Sequence, residues 1–260
     1  MRIVNIAFSP TGGTQAVADI LCSTLAKALD VGAADIDAID LSDPSIDETQ
    51  LSVDAESLAV ISMPCFGGRA PEVAMKRLSR IKGSDAKCVV VNVYGNRDFD
   101  DALLEMEDGA TKAGFDVIAA IAAIAEHSIM HQFATGRPDA TDKANLEDFG
   151  KRIAKQVTGG EDKAAPRVPG NDPYKKAGAV PLVPKVTGKC VSCGKCAESC
   201  PVMAINSVDY KADKDVCIAC MRCIEVCPQN ARSISRVMVK AASMAIKKSA
   251  SVRKECELYL

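Results

Sequence analysis

Residues 190–201 read Cys190-Val191-Ser192-Cys193-Gly194-Lys195-Cys196-Ala197-Glu198-Ser199-Cys200-Pro201, and residues 217–228 read Cys217-Ile218-Ala219-Cys220-Met221-Arg222-Cys223-Ile224-Glu225-Val226-Cys227-Pro228. Each stretch is C-x2-C-x2-C-x3-C-P, and the second follows 27 residues after the first with all four cysteines and the proline in register. The segment is an internal repeat. Three thiols two residues apart lie on a tight loop that can wrap one compact group from several sides. The fourth, three residues on, begins a helix and points the other way. Eight of the 12 cysteines fall here, while Cys22, Cys65, Cys88 and Cys256 are scattered. The N-terminus Met1-Arg2-Ile3-Val4-Asn5 has no signal-peptide layout, so the chain is expected in the cytosol. There, cysteines serve metal or redox chemistry rather than disulfides. Zinc sites use two cysteine pairs or Cys/His mixtures, and do not call for a third cysteine, a fourth and a proline at identical offsets twice.

The spacing suits [4Fe–4S] clusters, and the segment resembles the bacterial two-cluster ferredoxins along its whole length. That resemblance implies that the fourth cysteine of each repeat ligates the opposite cluster. Cys190, Cys193, Cys196 and Cys227 would then hold one cluster, and Cys217, Cys220, Cys223 and Cys200 the second. Residues 186–232 are accordingly expected to form a small α+β dicluster ferredoxin domain. Its cations Lys189, Lys195, Lys211, Lys214, Arg222 and Arg232 should favour reduced clusters.

Outward from this segment the composition changes. Residues 159–185 begin Gly159-Gly160-Glu161-Asp162-Lys163 and carry Pro166, Pro169, Pro173, Pro181 and Pro184, which reads as a semi-rigid connector. Residues 233–260 form a basic tail in which Ile234, Val237, Met238, Ala241, Met244 and Ala245 share one helical face. That face is expected to pack on the acidic half of the chain rather than on a membrane surface. Residues 1–165 hold 16 basic and 26 acidic side chains, whereas residues 166–260 hold 16 and 8. A basic half alone is a weak argument for nucleic acid; no basic run is interleaved with aromatics and there is no tryptophan, so nucleic-acid binding is not expected. The longest apolar run, Val117 to Ala125, is far too short for a membrane span.

Residues 1–158 alternate short apolar stretches with longer helical ones. Strands are expected at Arg2–Phe8, Ala34–Leu41, Leu58–Ser62, Ala86–Val93 and within Phe115–Ala125. Helices are expected over Thr14–Leu29, Pro71–Ile81, Phe99–Ala113 and Thr141–Val157. Strands alternating with helices predict a doubly wound α/β domain with five parallel strands in the order 2-1-3-4-5, the flavodoxin-like arrangement. Its first strand ends in Phe8-Ser9-Pro10-Thr11-Gly12-Gly13-Thr14 and a helix follows. Glycine admits close approach of an anion, and the helix N-terminus supplies free amides and positive dipole. Neither a G-x-x-x-x-G-K-[ST] nor a G-x-G-x-x-G pattern is present, and the loop has no Lys or Arg. Hydroxyls and amides alone suit a phosphate monoester such as that of FMN. Two further loops, Met63-Pro64-Cys65-Phe66-Gly67-Gly68-Arg69-Ala70-Pro71 and Val93-Tyr94-Gly95-Asn96-Arg97-Asp98, follow strand ends where ligands of open α/β sheets bind. Phe66 and Tyr94 are their candidates for stacking on a flat ring.

Together Ser9–Thr14, the Phe66-Gly67-Gly68-Arg69 loop, Tyr94-Gly95-Asn96-Arg97, Glu126-His127-Ser128 and the doubled cysteine motif resemble the EFR1-family ferredoxins. These are fusions of a flavodoxin-like domain and a two-cluster ferredoxin, typical of anaerobes. The resemblance implies FMN in the first domain, with Ser9, Thr11, Gly12, Gly13, Thr14, Pro64, Phe66, Gly67, Gly68, Tyr94, Gly95, Asn96, Arg97 and His127 as its candidate residues, and two [4Fe–4S] clusters in the second. His127 is a candidate for contacting the ring or moving a proton. Arg69 and Arg97 are candidates for stabilising reduced flavin or the junction between domains. Cys22 and Cys88 read as core residues, Cys65 as a loop thiol and Cys256 as a plain tail residue.

The expected function is electron transfer between redox protein partners, FMN and the two clusters, with no assigned catalytic residue. A flavin-dependent reductase of a small organic substrate, fed by its own clusters, is the alternative. A ferredoxin whose first domain only docks, without flavin, is a third. Self-association is left open.

Overall fold

The computed structural model describes residues 1–159, 164–178 and 182–260. Of the expected connector, Gly160, Glu161, Asp162, Lys163, Ala179, Val180 and Pro181 therefore lie outside the described residues. The N-terminal lobe is built from strands β1 (Ile3–Ala7), β2 (Ile36–Asp40), β3 (Leu58–Pro64), β4 (Lys87–Tyr94) and β5 (Asp116–Ile124). They are hydrogen-bonded in the order β2-β1-β3-β4-β5, all parallel. Helices α1 (Gly13–Ala28), α2 (Glu72–Leu78), α3 (Ala102–Lys112) and α4 (Ala140–Gly159) provide the crossovers. β4 and β5 read as nearly continuous apolar runs because both faces of a parallel sheet are covered. Successive side chains go to opposite faces. Val4, Ile6, Ile61 and Val90 join Leu78, Leu103 and Met106 on the side of α2 and α3. Ile3, Val60, Val89 and Val91 join Leu21, Leu25, Leu146 and Ile153 on the side of α1 and α4.

The sheet does not stop at five strands. The C-terminus returns as β8 (Glu257–Tyr259), antiparallel to β5, with Ile121 opposite Leu258. The sequence reading treated this stretch as tail, and three residues after a helix carry too little periodicity to announce a strand. Cys256, read as a plain tail residue, is buried in the α1/α4 core layer. Between them, α7 (Arg236–Ala250) packs through Val239, Ala242, Ile246 and Ala250 onto Met130 and Phe133. The expected face is corrected here: Val237, Met238, Ala241, Met244 and Ala245 are exposed. The buried stripe lies one residue further round the helix because the surface it meets is set by residues 129–133, not by the tail's own composition.

The connector docks as well. Asp101, just ahead of α3, leaves its own helix uncapped and turns its buried carboxylate to the connector. It accepts the Asn171 N–H at 2.9 Å, the Asn171 Nδ2 at 2.8 Å and the Lys175 N–H at 2.6 Å. Arg69 stacks on the Tyr174 ring and donates to the Lys175 carbonyl.

The cysteine segment folds as a lobe with a two-stranded antiparallel ribbon, β6 (Lys185–Val186) with β7 (Arg232–Ser233), and two one-turn helices, α5 (Lys195–Glu198) and α6 (Arg222–Glu225). The repeat is geometric as well as sequential. Ser192 and Ala219, Gly194 and Met221, and Met203 and Asn230 are pairs 27 residues apart, and all six have positive φ. Met221 accepts a left-handed conformation that suits glycine better. Its side chain is needed where it stands, buried with Leu182 and Ala219 against Ile129 and Val239.

Candidate functional site

β1 delivers the chain to Ser9–Thr14 at the C-terminal edge of the sheet, and Gly12 turns it into α1 with a φ of 87°. No acidic side chain occupies the first turn of α1, and its N-cap residue Gly12 has no side chain to cap it. The Ser9 hydroxyl accepts the Gln15 N–H at 2.9 Å. Among the described residues the amides of Gly13 and Thr14 have no protein acceptor. Dipole and unpaired N–H groups thus present one positive end, which suits an anion.

The ends of β3, β4 and β5 bring three other loops to the same edge. An open cavity is lined by Thr11, Gly13, Thr14, Pro64, Cys65, Phe66, Tyr94, Gly95, Glu126, His127 and Ser128. Phe66 stands edge-on to Phe8 and Tyr94 edge-on to Phe99, so both rings are braced from behind. Gly95 has a steric reason: a Cβ there would lie 2.7 Å from the His127 Cβ. Gly68 has another, since a Cβ would meet Asp100 at 2.0 Å. His127 Nδ1 accepts the N–H groups of Ile129 and Met130 at 3.2 and 3.3 Å. Burial pulls this imidazole down to about 4. The ring is therefore neutral at pH 7 with its proton on Nε2, and among the described residues nothing accepts that proton. Burial pushes the Cys65 thiol up to about 12, which makes it a poor nucleophile.

A second, wider space opens beside this cavity. Gly67, Gly68, Arg97 and His127 line it on one side, Ile218 and Ala219 of the cysteine lobe and Met238, Ala242 and Ile246 of α7 on the other. Three candidates are committed elsewhere. Asn96 is buried and donates to the carbonyls of Ala250 and Val252, both at 2.8 Å, while its carbonyl oxygen accepts the Lys254 N–H at 3.1 Å. Its side chain fastens the tail and does not enter either space. Ser9 caps within α1, and Arg97 is paired with Asp100. Arg69, weighed for the flavin or the junction, forms an ion pair with Glu105.

In the cysteine lobe the eight thiols divide between two spaces of nearly equal size. Cys190, Cys193, Cys196 and Cys227 line one of about 340 Å³, with Tyr210 and Arg232. Cys200, Cys217, Cys220 and Cys223 line another of about 330 Å³, with Arg222. Thiols stand around a space in each case, and among the described residues no three His, Cys, Asp or Glu side chains close on a single ion position. The Ala204 N–H lies 3.3 Å from Cys200 Sγ and the Ala231 N–H 3.2 Å from Cys227 Sγ, again 27 residues apart. Arg232, buried, places Nη1 3.6 Å from Cys196 Sγ. Amide and guanidinium donors aimed at sulfur suit thiolates that share an anionic cluster. Burial pushes Cys220 up to about 12 and Cys223 to about 11, so a cluster held by these thiols would displace their protons on binding.

Motif spacing did not reveal one member of the N-terminal cavity. Cys220, from the second cysteine repeat, stands in its wall with Thr11, Thr14, Tyr94 and His127. No signal in the sequence links residue 220 to residue 11, since the contact depends on how two lobes dock.

A family model described as a 4Fe-4S binding domain matches residues 183–206 and 210–233. No curated protein sequence matches the chain. Solved structures similar to the N-terminal lobe include a flavodoxin from the domain Archaea, at 14% identity over 61% of this chain and 99% of that one, with a TM-score of 0.41. A flavodoxin of Streptococcus pneumoniae is 20% identical over 60% of this chain and 99% of its own, with a TM-score of 0.41. The rubredoxin:oxygen oxidoreductase of Desulfovibrio gigas is 13% identical over 61% of this chain and 36% of its own, with a TM-score of 0.43. By its own strand order the first lobe is a flavodoxin-like α/β fold, and it is joined to a 4Fe-4S binding region.

Proposed function

We propose that this chain is an electron-transfer iron–sulfur flavoprotein of the EFR1 type, in which FMN and two [4Fe–4S] clusters form one relay. Thr11, Gly13 and Thr14 would hold the flavin phosphate through hydroxyls and the free amides of α1. Phe66 and Tyr94 would pack on the ring, and the neutral His127 would offer its Nε2–H. Pro64, Gly67, Gly68 and Gly95 keep the backbone close to that ring. Cys190, Cys193, Cys196 and Cys227 would hold an outer cluster, and Cys200, Cys217, Cys220 and Cys223 an inner one. Flavin exchanges one or two electrons and each cluster exchanges one, so their union converts between the two kinds of donor. The chain's own contribution is position and electrostatics.

The observation that carries the reading is Cys220 in the wall of the cavity at the sheet edge. A ligand of the inner cluster and the residues for FMN then border one space, with no intervening protein layer. Cys193, by contrast, is exposed, which gives the outer cluster access to an external redox protein. The test is anaerobic reconstitution with counts of iron, sulfide and flavin. About eight irons and one FMN per chain are expected; substantially fewer irons, or no flavin after FMN addition, would refute it.

The reductase reading keeps one specific support, the wide and largely apolar space beside the flavin site. Fast reoxidation of the reduced protein by a small organic oxidant, without any protein partner, would favour it over carriage between proteins.

A further inference from the structure

The loop Ser9–Thr14 has no cation of its own, yet a phosphate monoester brings up to two negative charges. Pro10 also removes one amide that such a loop would offer. The cysteine lobe brings a cation to this place. Arg222, between the cysteines of the second repeat, places Nη1 3.5 Å from the Ser9 carbonyl oxygen and 3.4 Å from that of Pro10. Both distances are long, so the contact is mainly charge on dipole. Its Nε is buried and has no partner among the described residues. The lobe that carries it is also tied to α2, since Arg77 donates to the Pro201 carbonyl at 2.9 Å. The acidic group near both arginines is Asp43, whose carboxyl is held below the usual range chiefly by the Ser45 hydroxyl.

We propose that Arg222 is a positioning residue for the phosphate site, so that flavin affinity belongs to both lobes together. The inference rests on the FMN reading above. A guanidinium on the carbonyl side of the Pro10–Thr11 peptide orients that unit with its Thr11 N–H toward the anion side. It also adds positive potential where the loop supplies only partial charges. Arg222 at the same time borders the inner cysteine space, so one cation faces two anionic groups. Linkage makes this reciprocal: whatever the cluster lobe adds to FMN binding, FMN adds to the docking of that lobe.

The test compares FMN with riboflavin, which has the same ring and no phosphate, on anaerobic, cluster-loaded full-length protein. Affinities are read from quenching of flavin fluorescence. Arg222→Gln is expected to weaken FMN on the order of tenfold, the low end for a lost charge-assisted contact because the distances are long. Riboflavin should change by less than about twofold. Equal losses for both flavins would mean that Arg222 acts through lobe packing, and no loss for FMN would mean that it does nothing; either overturns the proposal. Iron content identifies a variant that failed to fold. In that case Arg222→Lys carries the same comparison: an FMN-specific loss supports the proposal and its absence overturns it. Should the wild type bind no FMN at all, the functional reading fails first and this inference with it.

Discussion

Asp101→Asn should release the connector from the N-terminal lobe while leaving both halves folded. The carboxylate is fully buried and accepts three N–H donors at 2.6–2.9 Å, two of them backbone groups of residues 171 and 175. The isosteric amide keeps one acceptor oxygen, which can serve Asn171. Its NH2 group then confronts the Lys175 N–H, donor against donor. A hydrogen bond to a charged group is worth about 1.5–3 kcal/mol, and an unsatisfied buried donor adds to the loss. Partial relaxation leaves a net of about 2–4 kcal/mol, a 30- to 800-fold rise in the undocked population, on the order expected for local opening. Native-state hydrogen exchange at the amides of Asn171 and Lys175 reads this directly. The Asp101 side chain does not cap α3, so the helix should keep its protection. The wild type should respond to acid in the same way. The Lys175 N–H, with help from Asn171, holds the Asp101 carboxyl below its ordinary range. A carboxyl depressed in the folded state stabilises above its unfolded value of about 3.9 and loses that stabilisation as pH falls toward its folded value. Undocking should therefore begin below pH ~4. Unchanged exchange at both amides in Asp101→Asn would refute the claim that this carboxylate anchors the connector.

Replacing Cys193 or Cys220 by alanine should each lower iron from about eight to about four per chain; of the two, Cys220→Ala should also alter flavin fluorescence, because Cys220 and not Cys193 borders the cavity proposed for flavin. His127, drawn down to about 4 by burial, is protonated more readily in the unfolded chain, so the fold should lose stability as pH falls from about 6.5 toward 4. With allowance for residual exposure this amounts to about 1–2 kcal/mol between pH 7 and 5, measurable by urea unfolding, and His127→Gln should remove that slope. Asn96→Ala leaves the Ala250 and Val252 carbonyls and the Lys254 N–H without their shared partner. A cost of about 2–4 kcal/mol should appear as faster proteolysis within residues 251–260 and loss of the β5–β8 pairing.

Much of this architecture was legible because it is written in local, periodic signals. Apolar runs of strand length separated by amphipathic stretches can bury themselves only as a sheet covered on both faces, which is why β1 through β5 were readable in order. The eight thiols were readable as one pattern because they recur at fixed spacing along the chain itself. Other features left no such trace. Asn96 sits in a loop whose neighbours line the cavity at the sheet edge, and only its hydrogen bonds to residues 250–254 reveal a different task. The face of α7 misled because Val237 and Met244 are as apolar as Val239 and Ile246; which stripe is buried depends on the surface presented by Met130 and Phe133.

The chain's own order of residues is enough for the parallel sheet of the first lobe and for the doubled cysteine repeat of a 4Fe-4S binding region, since each depends on contacts within a few tens of residues. The meeting of those lobes is a matter of three dimensions. Cys220 beside Thr11, Arg222 over Pro10, the connector on Asp101 and β8 on β5 each join residues 70 to more than 200 positions apart. Such contacts are selected by shape and charge complementarity between finished surfaces, and no periodicity or spacing along the backbone encodes them.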